Sequence, residues 1–126
     1  LIDLSNIRWL LENAIILDPS WEKGSLYAAM MSVYLNDLSG DKDSERKALE
    51  YFELADRAAN GYNIGIYVTL AESFAVSKQD KAYFLELINK ALTIDISKDK
   101  DMKQVNTLSK LRAKWLLTRV DELFYM

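Results

Sequence analysis

Neither cysteine nor histidine occurs anywhere in the 126 residues. The first absence removes disulfides, thiolate metal sites and cysteine nucleophiles. The second removes the side chain that most often moves protons near neutral pH, so acid–base chemistry would need a tuned carboxylate, lysine or tyrosine. Proline is nearly absent too, with Pro19 alone, and the four glycines are Gly24, Gly40, Gly61 and Gly65. From Ile66 to the end there is neither, so only polar clusters can punctuate that half. No apolar run approaches the ~20 residues of a membrane-spanning helix, the longest being "LYAAMM" from Leu26 to Met31.

What is present reads as a globular, all-α chain. Half of the residues are apolar and 28% are charged, which is enough apolar surface for a core. Net charge is −3 with lysines and arginines scattered, a poor footprint for nucleic acid or an anionic membrane surface. Alternation of period two is missing, while spacings of three and four recur throughout. About six helices are predicted: Ser5 to Leu17, Trp21 to Leu38, Ser44 to Asn60, Ile64 to Val76, Gln79 to Ile94 and Gln104 to Phe124. "DPS" ends the first, Asp43 or Ser44 caps the third, Gly61 stops it, and Ser77 or Asp80 caps the fifth.

Repeats organise these helices. "LLENAIILDPSW" (Leu10 to Trp21) and "LINKALTIDISK" (Leu87 to Lys98) share Leu-x-x-x-Ala-[aliphatic]-x-[aliphatic]-Asp, and "KALEYFELADRAANG" supplies a third copy through Ala48, Phe52 and Ala55. The pattern is that of the second helix of a tetratricopeptide repeat, whose period is ~34 residues. Tyr27, Met30, Met31 and Tyr34 fit the first helix of such a unit, provided "LSGDKD" absorbs an insertion, and Val68, Ala71, Glu72 and Ala75 fit another. A tetratricopeptide-like array in one domain is therefore expected. Its first helix lacks a partner, which marks the chain as a fragment missing N-terminal sequence.

"YVTLAESFAVSKQDKAYFLELINKALTID" (Tyr67 to Asp95) followed by "LSKLRAKWLLTRVDELF" resembles the T-component (TatT) family of TRAP transporters. The hairpin carries the resemblance at Tyr67, Val68, Thr69, Ala71, Glu72, Ser73, Lys78, Gln79, Asp80, Phe84, Leu87, Ala91, Leu92, Ile94 and Asp95. The last helix adds Arg112, Ala113, Trp115, Leu116, Leu117, Asp121, Leu123 and Phe124. Lys110 and Leu111 depart from the family's pattern, as does "DISKDKDMKQVN". The resemblance implies a periplasmic, non-catalytic accessory protein, lipid-anchored through a segment absent from this chain. It would work beside a TRAP solute-binding protein and its permease.

Each candidate site has a structural reading beside the functional one. Asp41, Asp43 and Glu45 in "DKDSE" stand like the start of a calcium loop, but Arg46 and Phe52 replace the glycine and glutamate such a loop needs, so helix capping is favoured. Glu72 is either a polar anchor in a groove or a buried glutamate paired with Lys78 or Arg112. No lysine or arginine occurs between Gly24 and Asp41 or between Ala58 and Ser77, the helices that would line the concave face of an array. An apolar, aromatic cleft for a hydrophobic small molecule is the functional reading, with Tyr27, Met31, Tyr34, Tyr67, Glu72 and Phe74 as ligand-binding candidates. Core packing is the alternative for each. Arg112, Trp115 and Arg119 fall on one face of the last helix. They form either a stripe for an acidic partner or a core tryptophan with arginines at its margin, paired with Glu122 or Asp121.

These readings converge on a scaffold that binds the solute-binding protein and a hydrophobic ligand, without metal or other cofactor. Self-association is expected, with a small ring such as a trimer covering exposed apolar faces. A general tetratricopeptide-like adaptor for protein–protein interaction is the alternative, and nothing in the sequence supports an enzyme.

Overall fold

The computed structural model describes residues 4–19, 21–37 and 41–125, and it is all-α, with no strand among them. The helices are α1 (Leu4–Leu17), α2 (Ser25–Leu35), α3 (Lys42–Ala58), α4 (Ile64–Thr69), α5 (Lys81–Thr93), α6 (Lys103–Leu117) and α7 (Val120–Leu123). Single 3-10 turns occupy Trp21–Gly24 and Ile96–Lys98. The chain divides into two compact units, Leu1–Asn60 and Gly61–Met126.

In the first unit the core lies between α2 and α3. Ala48, Phe52, Ala55 and Ala59 recur every three or four residues and are all buried, as are Met30, Met31 and Tyr34 opposite them. The alanines let the two helix backbones come close, which is what the small-large-small pattern predicts. α2 begins at Ser25, not at Trp21, because three successive residues are left-handed: Glu22 (φ 43°), Lys23 (φ 57°) and Gly24 (φ 86°). A side chain at Gly24 would stand 2.6 Å from the Ala58 Cβ, so this turn must be a glycine for space as well as for conformation. α2 closes at Asn36, whose N–H donates to the Ser32 carbonyl. The insertion assigned to "LSGDKD" rests partly on residues 38–40, outside the described residues.

The cap of α3 is Asp41, not Asp43 or Ser44. Its carboxylate accepts from the Asp43 N–H at 2.9 Å, while Ser44 is buried and donates its hydroxyl to Asp37. Asp43 faces Arg46 and Lys47 one turn on. These pairings engage Asp41 and Asp43, and no metal-holding group of three or more acidic residues exists among the described residues. Gly61 is left-handed after Asn60, as a helix stop requires.

In the second unit α4 does not end at Thr69 but widens into a π-helical turn, Leu70–Ala75, before the chain leaves it near Ser77. Asp80 caps α5, accepting from the Tyr83 N–H at 3.0 Å, while the Ser77 hydroxyl donates back to Phe74. Phe84, Leu87, Ile88 and Ala91 of α5 are buried, and Phe124 closes over Phe84 edge to face at 5.2 Å. The last helix is broken where one helix from Gln104 to Phe124 is predicted. The Thr118 hydroxyl donates to the Trp115 carbonyl at 2.6 Å, and the Arg119 N–H reaches only Leu116. A side chain that competes for a helical carbonyl ends α6 there, and α7 restarts at Val120.

Asn106 ties the unit together. Fully buried on α6, it accepts from the Ile64 N–H at 3.0 Å and donates to the Tyr62 carbonyl at 2.6 Å. It thereby satisfies an orphan donor at the start of α4 that no local side chain caps.

Candidate functional site

The ligand candidates fall in two clusters, one in each unit. On α2, Met31 and Tyr34 are buried and Tyr27 is partly exposed. Tyr51 of α3 joins them, stacked on Tyr34 at 5.8 Å and tilted against Tyr27 at 6.3 Å. Burial pushes the Tyr51 phenol above the usual tyrosine range, with further help from Tyr34 and the carboxylates of Glu12 and Glu50. The uncharged stretch of α2 is not left uncharged by its neighbours. Arg8 of α1 and Lys47 of α3 stand over the Tyr34 ring, at 5.6 and 5.4 Å from its centre.

In the second unit Tyr67 is buried, whereas Glu72 and Phe74 lie within the π turn and reach solvent in part. Phe74 packs edge to face on Tyr83 at 6.2 Å, with Lys78 above its ring. Glu72 is paired with Arg112, as one of the two proposed pairings has it, but with 32% of its side chain exposed it is not a buried glutamate. The guanidinium grips it as a fork, Nε 2.9 Å from Oε1 and Nη2 3.1 Å from Oε2. A π turn widens a helix by one residue and recurs at functional positions. Nothing in "LAESFA" announces it, because the apolar spacing around it is ordinary helix.

Trp115 is not a core residue. It is 44% exposed, with the guanidiniums of Arg112 and Arg119 at 4.5 and 5.1 Å from its ring centre. Arg119 also holds Glu122, at 2.8 and 3.1 Å, as the marginal pairing anticipates. The structure thus brings Arg112, Trp115 and Arg119 into one cluster and adds Glu72 to it. Val105, Leu108 and Leu111 continue the exposed apolar face toward the start of α6. Sequence reasoning missed these three, although their spacing of three residues was the available signal. A shallow depression of about 490 Å³ opens at that end, lined by Lys100, Asp101, Lys103, Gln104, Thr107 and Leu108. A second exposed apolar face, with Trp9, Leu10, Ile16 and Leu17, lies on α1. No helix among the described residues is long and apolar enough to cross a membrane.

Residues 1–124 match the family model described as the TRAP transporter T-component. An uncharacterized protein of Treponema pallidum (strain Nichols) is 27% identical over 115 residues, which cover 91% of this chain and 36% of the relative. The chain therefore spans about a third of that relative's length. No solved structure matches.

Proposed function

The chain belongs to the TRAP transporter T-component family, a transporter-accessory family and not a catalytic one, and on that premise we propose that it is a helical-repeat scaffold for the system's solute-binding protein. The work is done in the periplasm, with the permease in the adjoining membrane. Arg112, Trp115 and Arg119 form the docking cluster. The observation that supports this is the half-exposed Trp115 held between two guanidiniums, since tryptophan and arginine are the side chains that most often anchor interfaces. A hydrophobic small molecule is bound within a unit. Tyr27, Met31 and Tyr34 contribute in one unit, where only Tyr27 reaches solvent, and Tyr67, Glu72 and Phe74 in the other, where Glu72 and Phe74 do. Self-association into a small ring belongs to the same reading and is supported by the apolar face left exposed on α1.

Sedimentation velocity tests it, with the chain alone and then mixed with the solute-binding protein encoded beside it. A heavier mixed species is the expected result. Independent sedimentation of the two at tens of micromolar overturns the scaffold reading.

A further inference from the structure

α6 differs from the rest of the molecule in charge. It carries Lys103, Lys110, Arg112 and Lys114 and no carboxylate, in a chain whose net charge is −3. Along the same helix Val105, Leu108, Leu111 and Trp115 repeat at three, three and four residues, and each is at least 44% exposed. That spacing is one face of a helix, about 15 Å long at 1.5 Å per residue. Trp115 is already ordered by Arg112 and Arg119, so little of its rotamer freedom remains to be lost when something covers it. Arg112 is itself fixed by Glu72, and Lys110 by the Ile94 carbonyl at 2.9 Å.

We propose that this face of α6 is a docking strip for an amphipathic helix, supplied by a partner protein, whose apolar side is flanked by carboxylates. A helix face offers a partner no unpaired backbone groups, so an extended strand would gain nothing from main-chain pairing, while a second helix can interdigitate its side chains with the stripe. Three turns of apolar residues on the partner match the length of the strip. Lysines at both ends of the strip meet the flanking carboxylates: Lys114, next to Trp115 in sequence, and Lys100 and Lys103, which outnumber Asp101 around the depression at the N-terminal end. An anionic membrane is the other surface a basic amphipathic helix could meet. Four side chains on a chain of net negative charge are a weak membrane anchor, which favours the protein helix. The inference rests on the scaffold reading only in taking the chain to be a partner-binding module, and it names the chemistry of that partner's docking element.

The test uses the whole chain and two dye-labelled three-turn peptides with leucines at i, i+3, i+4 and i+7. One has glutamates on its flanks and the other lysines, and binding is followed by fluorescence anisotropy. Expected are binding of the glutamate peptide at least about tenfold tighter than the lysine peptide, weakening with salt, and a further loss of about tenfold or more in Leu108→Asp. Leu108 is 63% exposed, so that variant should fold, and Ala82→Asp, at an exposed position of α5, should bind as the parent does. Equal binding of both peptides, or unchanged binding by Leu108→Asp, overturns the proposal. So does capture of the chain, but not of Leu108→Asp, by phosphatidylglycerol vesicles with no peptide binding, which would make the strip a membrane contact. Sedimentation of Leu108→Asp with the solute-binding protein separates the two proposals. An unchanged complex leaves the partnership with the solute-binding protein standing and takes its dock off the Leu108 end of α6, whereas glutamate-peptide binding without any complex keeps the strip and overturns the scaffold reading.

Discussion

The Arg112 guanidinium is shared between the Glu72 carboxylate, which it grips through Nε at 2.9 Å, and the Trp115 ring, whose centre lies 4.5 Å away. One side chain of α6 therefore locks the π turn and orders the exposed tryptophan at once. Both ion partners are partly in water, so Glu72→Gln should lower stability by only about 0.5–1 kcal/mol in thermal or urea unfolding. Its clearer effect is on Trp115. With Trp9 and Trp21 replaced by phenylalanine, the remaining indole should lose steady-state anisotropy in Glu72→Gln. An unchanged anisotropy would mean that Arg112 does not position the ring.

The left-handed turn before α2 yields two substitutions of opposite sign. Gly24→Ala adds a Cβ 2.6 Å from that of Ala58 at φ 86°, and should cost about 2–3 kcal/mol from the clash and the strained backbone together. Lys23→Gly relieves a left-handed non-glycine residue and should stabilise by about 0.5–1 kcal/mol. Chemical denaturation of the two variants beside the parent reads both. A stabilised Gly24→Ala would show that the turn relaxes to a right-handed form at little cost.

Asn106 is the side chain whose loss should be felt most in the second unit. Asn106→Leu preserves most of the volume but leaves the Ile64 N–H and the Tyr62 carbonyl without this partner, at about 2–4 kcal/mol for the pair. Hydrogen exchange should then show the Ile64 amide losing protection before the amides of α5 do. Equal protection across the two helices would mean that water replaces the asparagine.

The elements that could be read from the sequence are those whose cause is local. Asp80 three residues ahead of Tyr83, the alanines of α3 and the stop at Gly61 each act within a turn or two, and the structure has them where the pattern put them. The start of α2 was misplaced because Glu22 and Lys23 adopt a conformation that their own propensities oppose, imposed by the approach of Gly24 to Ala58. Asn106 looked like one more polar residue in a helix, since its partners stand more than forty positions away. Trp115 at helical spacing reads as core, and only the two arginines stacked on it show why it can stay in water. The cations over Tyr34 escaped notice for a related reason, as they come from α1 and α3 onto a helix that has none of its own.

Tyr51 makes the first unit sensitive to alkali. Burial among Tyr34 and Tyr27, with Glu12 and Glu50 nearby, disfavours its phenolate and raises its pKa in the folded chain above the unfolded value near 10. A group shifted in that direction contributes stability that is fully present below the unfolded pKa and is lost as pH rises through the folded one. Urea midpoints should therefore hold steady through neutral pH and fall above about pH 10. In Tyr51→Phe that fall should be shallower, because one phenol with a preference for the folded state has been removed. Spectrophotometric titration of tyrosinate should show the matching change, with a phenol that titrates above the usual tyrosine range missing from the variant. An alkaline limb as steep in Tyr51→Phe as in the parent would show that the Tyr51 phenol is not its source.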